Sequence, residues 1–285
     1  MRDLRGSVVV VKYGGAAMGD ADLSLSWARE VVRLSDAGAG VVVVHGGGPA
    51  LTRTLSRMGI DSTFEDGHRV TSREAAEVAE MVLSGRINKE VVSLLCRSGG
   101  RALGLSGTDG GLIRVRRYRP GGRDLGFVGE VEDVDPEILR LLLDHRYIPV
   151  LSSTAADGEG CPYNINADLV AGAVAAALGA THLVFLSDVP GVLVEGTTAR
   201  VLTDTGAREL LRNRGASGGM RPKLETALQA LDAGVPFVHL VDGRTRHALL
   251  RALLGRDSPG TRINRDIPRF RPQGSSQADP LGRDK

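Results

Sequence analysis

Two short β-branched runs end directly in glycine, and they restrict the fold more than any other feature of the chain. One is VVVVKYGG, from Val8 to Gly15; the other is GVVVVHGGGP, from Gly40 to Pro49. Four consecutive valines leave no polar face, so each run fits a strand buried on both sides, as in a parallel sheet covered by helices. A strand that runs into Lys12, Gly14 and Gly15 brings one cation and several bare backbone N–H groups to one point, which suits phosphate oxygens. In the second run Gly46, Gly47 and Gly48 stand before Pro49 and a helical pattern from Ala50 to Met58. Proline fits a helix first turn, and the glycines let a ligand approach the positive helix end. Glycines after a strand also make plain turns. Two such ends side by side at the carboxyl edge of one sheet point instead to an anion site. His45 reads as a structural hydrogen-bonding residue, not a catalyst.

The remaining pattern alternates. Helical periodicity covers Leu23 to Asp36 and Ser72 to Arg97, and apolar strand runs cover Arg101 to Leu105, Tyr147 to Leu151, Thr181 to Leu186 and Pro236 to Val241. This predicts an α/β fold with a doubly wound, mostly parallel sheet. Gly111 to Tyr118 and Gly126 to Val131 flank Pro120-Gly121-Gly122 and predict a projecting hairpin.

Composition narrows the function classes. Lys and Arg number 36 against 34 Asp and Glu, and the net charge of +2 resides entirely after Asn264, which argues against a nucleic-acid partner. No run approaches the roughly twenty apolar residues of a membrane span, and no signal-peptide core is present, so a cytoplasmic location without membrane partners is expected. Cys96 and Cys161 lack metal-ligand spacing; Cys96 is expected as a small buried residue, and neither metal binding nor thiol catalysis is expected. From Asn264 the chain turns polar and reads as a disordered tail.

Two segments carry further chemistry. In YNINAD, Asn164, Asn166 and Asp168 alternate before an apolar helix from Leu169 to Leu178. A helix start explains one or two such residues; in an extended segment all three would share one face. In GGMRPK, Gly218 and Gly219 free a loop and Lys223 emerges in a helix first turn, where a cation opposes the helix dipole and hints at an anionic partner.

KYGG, HGGGP, GHRVT, MVLSGRINKE, GLSGTDGG, GFVGEV, YNINAD, LSDVPGVL and GGMRPK, in this order from about Val8 to Ile263, resemble the N-acetylglutamate kinases of the amino acid kinase family. The resemblance implies an αβα sandwich. Residues 1–178 would form an N-terminal lobe that binds the acyl amino acid and dimerises, 179–263 a C-terminal lobe that binds ATP, and 264–285 the tail. It implies ATP with Mg²⁺ as cofactors, no protein-held metal, and phosphorylation of the side-chain carboxylate of N-acetyl-L-glutamate. Lys12 and Lys223 would flank the transferring phosphoryl group and Asp168 would hold both lysines. Gly14, Gly15 and Gly46 would serve the phosphates, while Gly47, Gly48, Arg69, Asn164 and Asn166 would bind the acyl amino acid. Asp188, Val189, Gly191, Leu193, Gly218 and Gly219 would line the nucleotide site.

Two rival readings accompany this one. A sister kinase acts on a glutamate or aminoadipate group attached to an acidic carrier protein, and Arg114, Arg116, Arg117, Arg119 and Arg123 could serve such a partner. A non-catalytic nucleotide-binding sensor is the other. The segment LLGRDSPGT departs from the glutamate and Gly-Ile-Gly-Thr turn of arginine-inhibited members, and only eleven residues precede Lys12, so an arginine-insensitive homodimer is expected.

Overall fold

A computed structural model describes residues 4–14, 18–65, 68–213, 215, 219–255 and 258–266. The chain begins with β1 (Val8–Tyr13), α1 (Ala21–Asp36), β2 (Gly40–His45) and α2 (Gly48–Arg57), then a small hairpin of β3 (Phe64–Glu65) and β4 (His68–Arg69). A long helical stretch follows, made of α3 (Arg73–Glu80), a π-helical segment (Met81–Ile87) and α4 (Asn88–Arg97). Next come β5 (Ala102–Leu105), β6 (Ile113–Arg117), β7 (Val128–Val134), α5 (Glu137–Asp144), β8 (Ile148–Ser152), β9 (Thr154–Ala156), β10 (Pro162–Ile165) and α6 (Ala167–Leu178). The last part holds β11 (His182–Ser187), β12 (Leu193–Val194), β13 (Thr197–Thr198), β14 (Val201–Thr203), α7 (Asp204–Arg212), α8 (Met220–Asp232), β15 (Phe237–Asp242), α9 (Ala248–Leu254) and β16 (Thr261–Asn264).

Eight strands make the central sheet in the order β14-β16-β15-β11-β1-β2-β8-β5. All neighbours are parallel except β15 and β16. Both valine runs lie at its centre and are buried on both faces, as the absence of a polar face requires. Val10, Val42 and Val44 pack in the cluster that contains Val170 of α6 and Leu224 of α8. Val9, Val11, Val41 and Val43 pack in the cluster of α1, α4 and α9 on the other face. The fold is thus an αβα sandwich, and it sets Lys12 and the Gly46–Gly48 loop at the carboxyl ends of neighbouring strands.

The helical stretch predicted from Ser72 to Arg97 is present, with its middle wound as a π-helix. That segment lets the Ser84 hydroxyl meet Ser152 Oγ at 2.8 Å and Thr154 Oγ1 at 2.6 Å. Two expectations, on Cys96 and Asn264, need correction. Cys96 is exposed, not buried. Asn264 does not begin the tail but closes β16 against Phe237, and the Arg265 guanidinium caps the carbonyls of Leu231 and Asp232 at 2.7 and 3.0 Å. Residues 267–285 lie outside the described residues.

The predicted hairpin is present as β6 and β7, but it is half of a four-stranded sheet, β6-β7-β10-β9. Its arginines face acids of the same hairpin. Arg114 pairs with Asp133 at 3.1 Å, Arg116 with Glu130 at 2.9 Å, and Arg117 with Asp124 at 3.3 Å; Arg119 reaches Asp124 at 4.0 Å. Among the described residues no helix is long and apolar enough to cross a membrane.

Candidate active site

Lys12 is the penultimate residue of β1, and its side chain follows Val10 toward α6. Asp168 sits in the first turn of α6. The Asn166 side chain caps that helix, its Oδ1 accepting from the Asp168 backbone N–H at 2.8 Å. Lys223 stands in the first turn of α8. Gly172 lets α8 come close to α6, since a Cβ there would lie 2.9 Å from Thr226 Cγ2. The helix starts therefore converge. Lys12 Nζ is 3.0 Å from Asp168 Oδ1, and Lys223 Nζ donates to Asp168 Oδ2 at 2.6 Å. All three side chains are largely buried, between 11 and 16% exposed. Burial alone would push the Asp168 carboxyl up, and the charges of Lys12 and Lys223 overcome this and hold it below the ordinary carboxylate range. Two ammonium groups against one carboxylate leave a net charge of +1 in a desolvated site. Such a site is electrically complete only with an anion.

Beside the lysine pair lies a cleft of about 230 Å³ lined by Lys12, Gly14, Gly46, Gly47, Gly48, Arg69, Asn164 and Asn166, among others. A Cβ on Gly14 would stand 3.0 Å from Lys12 Nζ, so glycine keeps the ammonium accessible. The N–H of Gly46 is directed at the Tyr13 carbonyl at 3.4 Å and continues the sheet. Gly47 and Gly48 stand at the start of α2, where backbone N–H groups have no partner within the helix. Arg69 is 6% exposed. It donates to Thr52 Oγ1 at 2.7 Å, to the Gly48 carbonyl at 3.4 Å and to the Ser62 hydroxyl, and lies 4.6 Å from the Phe64 ring centroid. Burial lowers its pKa, and it makes no ion pair among the described residues. A buried guanidinium bonded only to neutral groups is a second position that favours an anion.

Asn164 and Asn166 line this cleft as the alternation predicts, but Asp168 does not share an extended face with them. The chain turns into α6 at Ala167, and the helix start carries Asp168 to the lysines. Thr52, Ser62 and Phe64, which surround Arg69, escaped sequence reasoning; Thr52 is an exposed position of α2, Ser62 lies in the irregular stretch after that helix, Phe64 opens the two-residue β3, and nothing local marks them. Asp188 and Val189 follow β11 at the same sheet edge as Lys12, with Asp188 exposed. Gly191 has φ +130° and packs tightly on Thr261, and Leu193 is exposed in β12. None of these four lines the cleft with Lys12. Gly219 precedes α8, whereas Gly15 and Gly218 lie outside the described residues.

Known proteins share this architecture. The acetylglutamate kinase of Synechococcus sp. (strain RCC307) is 47% identical over 263 residues, covering 91% of this chain and 88% of its own. The solved N-acetylglutamate synthase of Neisseria gonorrhoeae, complexed with coenzyme A and N-acetyl-glutamate, superposes with a TM-score of 0.83 at 25% identity. That match covers 93% of this chain, which spans 61% of the synthase. Carbamate kinase from Giardia lamblia bound to AMP-PNP shares the fold, with a TM-score of 0.68 at 18% identity over 91% of this chain and 99% of that one. The sequence model of the amino acid kinase family matches residues 7–242, a span that includes both lysines, Asp168 and the glycine loops. On that match, and on a kinase relative nearly half identical along most of its length, the chain belongs to the amino acid kinase family.

Proposed function

We propose that this kinase transfers the γ-phosphoryl group of ATP to the side-chain carboxylate of N-acetyl-L-glutamate, giving an acyl phosphate and ADP. The observation that carries the reading is the Lys12–Asp168–Lys223 cluster beside a cleft that also holds the buried Arg69. The names of the similar kinases support the choice of acceptor. In the reaction one carboxylate oxygen attacks the γ-phosphorus, the bond to the bridging oxygen breaks, and that electron pair leaves with ADP. A glutamate-type side chain ordinarily titrates near pH ~4.3, so the nucleophile is ionised at neutral pH and no base is needed. Repulsion between anions is the obstacle. Lys12, Lys223 and the glycine N–H groups answer it by holding positive charge where the transition state spreads negative charge. Asp168 orients the two cations and takes no proton.

Among the described residues no group of three His, Cys, Asp or Glu side chains gathers to hold a metal. In this reading Mg²⁺ arrives with the nucleotide and neutralises the charge of its phosphates. Asp188 and Val189, after β11, and Gly219, before α8, serve the nucleotide in the same reading.

In this reading Arg69 grips the carboxylate that does not react, and such a contact contributes equally to ground and transition states. Arg69→Ala is expected to raise KM for the acyl amino acid by about tenfold to a hundredfold with KM for ATP nearly unchanged. An unaltered acceptor KM would move the substrate site elsewhere. The carrier reading loses its motive, because Arg114, Arg116, Arg117 and Arg119 already face acids of their own hairpin.

The deciding experiment offers MgATP with N-acetylglutamate, glutamate, N-acetylaminoadipate or carbamate, and traps acyl phosphate with hydroxylamine. Hydroxamate from N-acetylglutamate alone supports the assignment. ADP release without acceptor dependence, or none at all, overturns it.

We also propose a homodimer. β5 is an edge strand of the central sheet with Leu103 exposed, a template for a second copy. Light scattering should give twice the chain mass, and Leu103→Lys should shift it toward one chain; a monomeric wild type refutes the dimer.

A further inference from the structure

The mechanism does not use His45, yet it is the most buried titratable group beside the glycine loop. It ends β2, immediately before Gly46. Its Nδ1 lies 2.9 Å from the Gly46 carbonyl oxygen, and its Nε2 lies 3.1 Å from Asn88 Nδ2. A carbonyl only accepts, so Nδ1 carries the proton. Asn88 Nδ2 is also 2.9 Å from the Val150 carbonyl and 3.3 Å from the Leu105 carbonyl, while Asn88 Oδ1 accepts from Lys89 Nζ at 3.1 Å. These partners fix the amide orientation and make Nε2 the acceptor, so both ring nitrogens are assigned. Burial pushes the imidazole down to about 4, which keeps it neutral at working pH.

The fold is shaped around this contact. Asn88 is fully buried at the end of the π-helical segment, whose wider winding sets where Asn88 falls on the helix. Gly104 leaves room for it, since a Cβ there would lie 1.8 Å from Asn88 Oδ1. The same segment presses Ile87 and Leu83 against Gly47, where a Cβ would meet them at 2.2 and 2.7 Å.

In a trans peptide the carbonyl and the next N–H point in opposite directions. Fixing the Gly46 carbonyl toward His45 therefore fixes the Gly47 N–H away from it. We propose that His45, its tautomer set by Asn88, is a positioning residue that locks the Gly46–Gly47 peptide so that the Gly47 N–H is presented to the anionic group in the cleft. This inference rests on the phosphoryl-transfer reading, and it acts on the transition state through a preorganised donor.

Three substitutions at His45 test it. Asn places an amide N–H near the position of Nδ1 and retains the bond to Gly46; Gln places its amide near Nε2 and does not; Phe retains only the ring. His45→Phe and His45→Gln are expected to lower kcat on the order of 10² with KM for ATP within about threefold, and His45→Asn to stay within about tenfold of wild type. If His45→Phe does not fold, the comparison of Asn with Gln decides. Equal kcat for those two, or wild-type kcat in a folded Phe variant, overturns the lock. Imidazole ¹⁵N spectra of the wild-type protein supply a readout independent of turnover: the Nδ1–H tautomer is expected, and the Nε2–H tautomer overturns the lock. A wild type that phosphorylates no acceptor refutes the proposed reaction and, if it shows the Nδ1–H tautomer, leaves the lock standing on the spectrum.

Discussion

Lys12→Ala and Lys223→Ala should each lower kcat by on the order of 10² or more, with much smaller changes in KM for ATP. Each ammonium is held within 3.0 Å of Asp168 in a largely desolvated site, where charge that meets the transition state acts most strongly. The losses should not add. Removing one lysine leaves Asp168 paired one to one with the other, which abolishes the net positive charge and weakens the survivor as well. The double variant should therefore lose less than the product of the single losses. Steady-state kinetics of the three proteins, with folding checked by circular dichroism, measures both effects. Turnover near wild type in either single variant refutes the assigned chemistry.

Acidification from pH 7 to pH 5 should lower Tm by about 10 °C, well before the catalytic carboxylate titrates. Burial holds the His45 imidazole at about 4 and, with His182 close by, brings His239 to about 3; burial also lowers His182, beside Arg262. His182 Nδ1 and His239 Nε2 are 3.1 Å apart, so the two titrate as a pair and their effects should not be summed in full. The sign is fixed by the unfolded chain, whose histidines take protons near pH 6.5 while the folded ones refuse them until about 4. Stability is thus complete above pH 6.5 and falls as pH drops through that window, by roughly 2 kcal/mol for a fully buried group at pH 5. Glu30 opposes this in part. Burial pushes its carboxyl up from 4.5, so the folded state binds that proton first. Asp168 contributes only near and below its ordinary value of 3.8. Differential scanning calorimetry at the two pH values is the check, and an unchanged Tm would show that the histidines are solvated or cationic in the folded state.

The parts of this architecture legible in the sequence are those that local chemistry dictates. β2 runs from Gly40 to His45 as its valines require, and Lys223 falls in a helix first turn as the glycines before it suggest. Short elements were not legible. β9, β14 and β16 have three or four residues each and gain their order from neighbours distant in sequence. The π-helical winding was hidden because nothing in the residues from Met81 to Ile87 separates it from ordinary helix, and Ser152, Thr154 and Gly47, which meet the segment, belong to other elements. The pairing of the basic hairpin run was equally invisible, since it depends on which acid lies across the strand. In the site, residue types indicated an anion and lysines around it, but the division of roles between Asn166, which caps α6, and Asp168, which that cap delivers, needed the geometry.

The last strand has a consequence for the order in which this molecule can be made. β16 lies between β15 and β14, antiparallel to the first and parallel to the second, and β14 has no other partner in the central sheet. During synthesis β14 emerges almost sixty residues before the strand that joins it to the sheet. Until Asn264 has left the ribosome, β14 and the Arg265 cap on α8 wait without their partners, while β1 and β2 already have theirs. A released chain ending just short of residue 261 would lack two strands of the sheet for the absence of one, and the helix that presents Lys223 would keep the carbonyls of Leu231 and Asp232 without their Arg265 cap.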